Sequence, residues 1–140
     1  MTRIPAPRVP PYGALGVIRE KITFAKEGVV VDFVNGRLPA YASVVGGGVH
    51  ILTAFNDSGT DTIDIGFRDG SSTDDPDAYA TLLAATGLGF IALDELAAVT
   101  NIMQTKACIP TWRYNGENNN ATAGVGYITL LYSIGPSDGQ

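Results

Sequence analysis

The chain has one histidine, His50, and one cysteine, Cys108. A nucleophile–base pair of the Ser-His-Asp or Cys-His kind must therefore use His50. His50 lies inside the run VHILTAF, opposite the face shared by Val49, Ile51, Thr53 and Phe55. No G-x-S-x-G elbow or other nucleophile setting accompanies it, so the position predicts a structural side chain. Cys108, within KACIPTWRY, reads as a small buried hydrophobe. One histidine and one cysteine do not suffice for a zinc site of the usual kind.

Carboxylates are the plentiful reactive groups, with Asp and Glu totalling 14. A glycosidase sets two of them across a sugar, one with a raised pKa. The acids here cluster in turns, where solvation keeps their pKa values ordinary. Asp69, Asp74, Asp75 and Asp77 are calcium candidates, because they put hard oxygen ligands in one loop, with Asp57 and Asp61 near in sequence. Their spacing departs from the D-x-D-x-D-G loop and its distal Glu. Turn-forming and N-capping roles account for these aspartates without an ion. The expectation is no catalytic residue, no cofactor and no metal, hence not an enzyme. Trp112, Tyr114 and Tyr127 are candidates for an exposed aromatic platform of the kind that binds sugars. Core packing or a subunit contact explains them equally well.

The elements that must position these residues show a period of two. In TIDIGF, Ile63, Ile65 and Phe67 alternate with Asp64, Gly66 and Arg68. In ATAGVGYITLLYSI, Ile128, Leu130, Tyr132 and Ile134 share one face, and Tyr127, Thr129, Leu131 and Ser133 the other. One clean apolar face at that period means half-buried antiparallel strands. VIREKITFA, VVVDFVN, ASVV and LGFIAL read as further strands, and Asn35-Gly36 as a tight turn. Gly46-Gly47-Gly48 suggests a bulge, a corner or a close backbone approach, and no helix start follows to make it a phosphate cradle. Asp75-Pro76 reads as the N-cap and first residue of a short helix, burying Tyr79, Leu82 and Leu83 and stopping near Gly87. Pro110 places its strand at an edge or a bulge.

The predicted fold class is all-β: a single-domain antiparallel β-sandwich or jelly roll with an extended Pro-rich N-terminal arm and one short helix. The arm spans residues 1–16, the sandwich 17–135, and a flexible C-terminal tail 136–140. A chain of 140 residues supports one such core, and 17 Gly and 8 Pro suit many short strands and tight turns. With charged residues at only 16% and hydrophobic ones at 45%, some apolar surface is left for a partner. VHILTAF and the last strand carry apolar side chains on both faces. Leu52, Trp112, Tyr127 and Leu131 are therefore the oligomer-interface candidates, for a homodimer or homotrimer.

The net charge is −5, and Asp57, Asp61, Asp64, Asp69, Asp74, Asp75 and Asp77 supply half of the 14 acids. An acidic body argues against nucleic acid as a partner. No apolar stretch approaches the ~20 residues that would span a bilayer, so no membrane role is expected. A single cysteine rules out a disulfide framework and, with no signal peptide visible, points to synthesis in a cytoplasm.

The run VHILTAFNDSGTDTIDIGFRDG, continuing through DDPDAYA and followed by ATAGVGYITLLYSI, resembles small virion proteins of tailed bacteriophages. The matching elements are Thr53, Phe55, Asn56, Ser58, Gly59, Thr60 and Asp61, then Ile65 and Gly66. Asp75, Asp77, Ala78, Tyr79 and Ala80 follow, and Thr122, Ala123 and Gly124 form the turn into the last strand. The resemblance covers roughly residues 40–134 and is a scaffold pattern, not an active-site signature. It implies a β-sandwich or jelly-roll component of the virion, such as a capsid decoration (cement) protein on the capsid surface that binds the major capsid protein. It also gives the arm a role, with Arg3, Ile4, Pro5, Arg8, Val9 and Tyr12 latching onto capsid subunits. The rival expectation is a tail or fibre module that binds a host-surface glycan.

Overall fold

Alternation drives eight segments into strands in a computed structural model, which describes residues 15–70, 74–97 and 103–134. They are β1 (Leu15–Thr23), β2 (Val31–Asp32), β3 (Ala42–Thr53), β4 (Asp61–Arg68), β5 (Asp75–Ala84), β6 (Gly89–Ala92), β7 (Ile109–Gly116) and β8 (Val125–Ile134). Two four-stranded antiparallel sheets result, ordered β1-β8-β3-β6 and β2-β7-β4-β5. First pairs with last, second with seventh, third with sixth and fourth with fifth. That nesting is a ribbon of antiparallel pairs rolled into two layers, which is a jelly roll.

The inner faces meet as the alternation requires. Ile18, Ile22, Val49, Ile51, Ile128 and Leu130 of the first sheet pack against Ile63, Ile65, Phe67, Tyr79, Trp112 and Tyr114 of the second. β8 alternates buried and part-exposed from Val125 to Tyr132, as its sequence predicts. β3 is bulged at Val45, just before the triple glycine, whose residues pair with Leu131, Leu130 and Thr129 of β8 in regular register. Gly47 there has a φ of 121°, and a Cβ on it would lie 2.0 Å from the Thr129 carbonyl oxygen. No other residue fits so close a backbone approach at that φ. Behind the Asn35-Gly36 turn, the buried Glu20 carboxylate accepts the N–H groups of Val34 and Asn35 at 3.1–3.2 Å.

Three expectations need correction. Asp75 to Ala84 is a strand and not a helix, and the helical element among the described residues is a 3-10 turn at Phe24–Lys26. A cap and an N1 proline are local preferences of about 1 kcal/mol, and the open edge of β4 offers a whole ladder in exchange. β5 is bulged where it departs from that ladder, and Leu82 takes a φ of 54°. Carboxylates satisfy the displaced donors, since Thr81 N–H binds Asp94 at 3.0 Å and Leu82 N–H binds Asp64 at 2.8 Å. VVVDFVN contributes only Val31–Asp32 as strand, with Val29 left exposed. β7, which carries Pro110, lies between β2 and β4, not at an edge. Pro110 turns its polar edge toward β2, accepting the Phe33 N–H at 2.9 Å, so its missing donor interrupts only a two-residue partner.

Candidate functional site

The residues singled out for chemistry do not converge. His50 is exposed on the outer face of the first sheet. Cys108 is 3% exposed in the core beside Tyr79, and burial pushes its thiol up to about 11. A thiol held protonated in this way is not a nucleophile at neutral pH. In the acidic loop, Asp74 accepts the N–H groups of Asp69 and Gly70 at 2.7 and 3.2 Å, and Asp75 accepts that of Asp77 at 3.4 Å. The neighbouring Asp75 carboxylate raises the Asp77 pKa, and burial adds to the shift. Among the described residues, no group of three or more His, Cys, Asp or Glu is arranged to hold a metal ion.

Trp112 and Tyr114 do share a strand face, but it is the core face. They are 4% and 0% exposed, so neither offers a platform to a glycan or a contact to another subunit. Tyr114 stacks on Phe55 with ring centroids 4.6 Å apart and donates its hydroxyl to Asp61. Leu52, at 50% exposure, and the part-exposed Tyr127 and Leu131 do lie outside the core, on strands of the first sheet. Arg3, Ile4, Pro5, Arg8, Val9 and Tyr12 lie outside the described residues, as do positions 135–140.

The acids that are buried are bound by the protein itself. Asp57 takes N–H groups from Gly59, Asn118 and Asn120 at 2.8–3.2 Å. Burial opposes its charge, but those donors outweigh it and hold the carboxyl below the usual range. Around it Asn56 binds Thr122 and Ala123, and Ser58 accepts the side-chain amides of Asn118 and Asn120. The N-D-S-G-T-D run and the NNNATAG run thus form one clasp between two loops. Gly124 completes it, because the Phe55 ring occupies the space a Cβ would need. Asp64, 1% exposed, is bound by Arg113, Asn115 and the Leu82 N–H.

Among the described residues, two open surfaces stand out. Near β2, a cleft of about 440 Å³ is lined by Asp32, Phe33, Val34, Gly36, Arg37, Arg68 and Ile109. Arg68 and Asp32 form a two-pronged ion pair there, with Nε to Oδ1 at 2.7 Å, which lowers the Asp32 pKa. The other surface is the outer face of the first sheet, where Leu15, Val17 and Phe90 are 57–62% exposed. Phe90 was not legible as a surface residue in sequence. β6 has only four residues, too few alternations to tell inside from outside. Its ring lies over Gly48, the one residue type that leaves room for it.

No protein-family model matches the chain, and no curated protein matches it significantly. Its structure is similar to a chain in the capsid of Ralstonia phage GP4, with a TM-score of 0.66 at 16% identity, covering 96% of this chain and 92% of that one. It is similar to one in the cyanophage Pam1 capsid asymmetric unit, with a TM-score of 0.61 at 16% identity and coverage of 96% and 94%. A chain in the acid-stable capsid structure of Helicobacter pylori bacteriophage KHP30 gives a TM-score of 0.61 at 16% identity, with coverage of 89% and 90%. At that identity the likeness is one of fold, and it runs nearly end to end on both sides: this chain has a jelly-roll fold that also occurs in phage capsids.

Proposed function

We propose that this chain is a virion structural protein of a tailed phage, a capsid decoration (cement) protein that bridges major capsid subunits. The end-to-end fold likeness to chains of three phage capsids supports this reading most strongly. The mechanism is passive. A protein that binds only the assembled shell adds its binding free energy to that state, and many identical sites multiply a modest affinity by avidity. Residues 1–13 contain Pro5, Pro7, Pro10 and Pro11, and a proline-rich arm costs less to order on a partner than a glycine-rich one. Self-association as a homodimer or homotrimer belongs to the same reading. The glycan-binding alternative loses two of its three aromatic candidates, because Trp112 and Tyr114 are core residues.

Band quantitation of purified particles tests the role: the protein should be stoichiometric with capsid subunits, and a few copies per particle would overturn it in favour of a tail part. Removing residues 1–13 should leave the melting temperature unchanged and weaken co-sedimentation with shells. Light scattering tests self-association, and a clean mass near 14.7 kDa would refute it.

A further inference from the structure

The outer face of the first sheet has an unusual charge. Its outward strand positions carry Arg19 and Lys21 on β1 and no Asp or Glu on any of the four strands. This is in a chain with 14 acids and a net charge of −5. The single acid of β1, Glu20, points inward to its backbone partners.

One row crosses all four strands in register. Phe90 pairs with His50, His50 with Tyr127, and Tyr127 with Lys21. At the usual strand spacing that row spans about 14 Å. Arg19 lies over the Tyr127 ring, its guanidinium carbon 4.3 Å from the centroid. The stacked ring holds this cation in place while its N–H groups stay available. Phe90 is likewise held, on the floor that Gly48 provides. Exposed Phe90 on the β6 edge and Val45 and Leu52 on the inner strand β3, with Arg19 and Lys21 beside Leu15 and Val17 on the β1 edge, give the face the composition of a protein interface.

We infer that this face docks a different protein, whose contact patch is apolar and flanked by carboxylates that meet Arg19 and Lys21. A second copy stacked face to face brings no acid to those cations, so Leu52, Tyr127 and Leu131 go to the shell partner and a homodimer or homotrimer forms through another surface. A copy presenting its acidic regions instead would make a head-to-tail contact, which leads to open filaments unless the rotation closes. The inference rests on the cement reading, in which the partner is a subunit of the shell.

The probe is the shell purified without this protein, and the readout is co-sedimentation at low and high salt. Wild-type protein should bind, and more weakly as salt rises. Charge reversal in R19E/K21E should weaken binding ~10-fold and abolish most of the salt dependence. Phe90→Ser should weaken it at both salt concentrations, and Val34→Ser, 83% exposed away from this face, should not. Each variant should melt with the wild type, as exposed substitutions do, and Lys21→Glu alone provides a milder reversal. Wild-type binding that neither reversal alters would overturn the docking face and leave the cement role standing. No wild-type binding to shells would overturn the cement role itself. A reversal that instead lowered the protein's own mass in light scattering would identify a second copy as the occupant and overturn the partner inferred here.

Discussion

Asp57 holds Asn120 across 63 residues of chain, its Oδ2 accepting the Asn120 backbone N–H at 3.1 Å. The same carboxylate takes Asn118 and Gly59, so one side chain closes the loop after β3 onto the loop before β8. Replacing it by alanine strands three part-buried donors, the costlier way to lose hydrogen bonds. Asp57→Ala should therefore lower the melting temperature by more than Ser58→Ala, whose side chain is exposed. Amide exchange at Asn118 and Asn120 should also accelerate. Unchanged exchange there would show that the clasp does not depend on Asp57.

Glu27 and Asp57 give stability opposite pH dependences. Burial, then the nearby Asp57 carboxylate, raises the Glu27 pKa, whereas the backbone donors depress that of Asp57. The Asp57 contribution is present above the ordinary aspartate value of 3.8 and is lost as pH falls. The Glu27 contribution is present below its ordinary 4.5 and is lost as pH rises through the raised value. Glu27→Gln imitates the protonated form, so its melting temperature should gain on wild type as pH climbs above 4.5, then level off. A constant difference across that window would refute the assignment.

Gly47 and Gly46 are neighbours with unlike tolerances. Gly47→Ala forces a side chain against the Thr129 carbonyl at a φ of 121°, whereas a Cβ on Gly46 meets only the Leu131 side chain at 3.4 Å. The first substitution should cost about 2–4 kcal/mol, as strained backbone with a steric clash does, and the second less than about 1 kcal/mol. Urea titration of the two variants distinguishes them, and equal midpoints would show that β3 and β8 move apart at Gly47.

Cys108 should resist alkylation in the native protein at neutral pH and react once it is denatured. It is 3% exposed and its pKa is pushed up to about 11, first by burial and then by the negative charge of Asp69. Mass spectrometry after iodoacetamide treatment reads this directly. Rapid native labelling would mean that the core around Tyr79 opens.

What could be read in the sequence was what depends on neighbours in the chain. The parity of Ile128, Leu130 and Tyr132 marks a strand and its buried face because alternate side chains of a strand must point to opposite sides. The same parity put Trp112 and Tyr114 together on one face. It did not say which face of that strand the second sheet covers, so residues proposed for a partner proved to be core. Asp75-Pro76 carried a true local preference for a helix start, and the open edge of β4, distant in sequence, overruled it. Local preferences are worth about 1 kcal/mol, and a ladder with its packing is worth several times that. Tertiary structure alone decided the nested strand order, the clasp joining Asp57 to Asn120, and the row from Phe90 to Lys21. Each brings together residues tens of positions apart, and a period of two carries no information about which strands become neighbours.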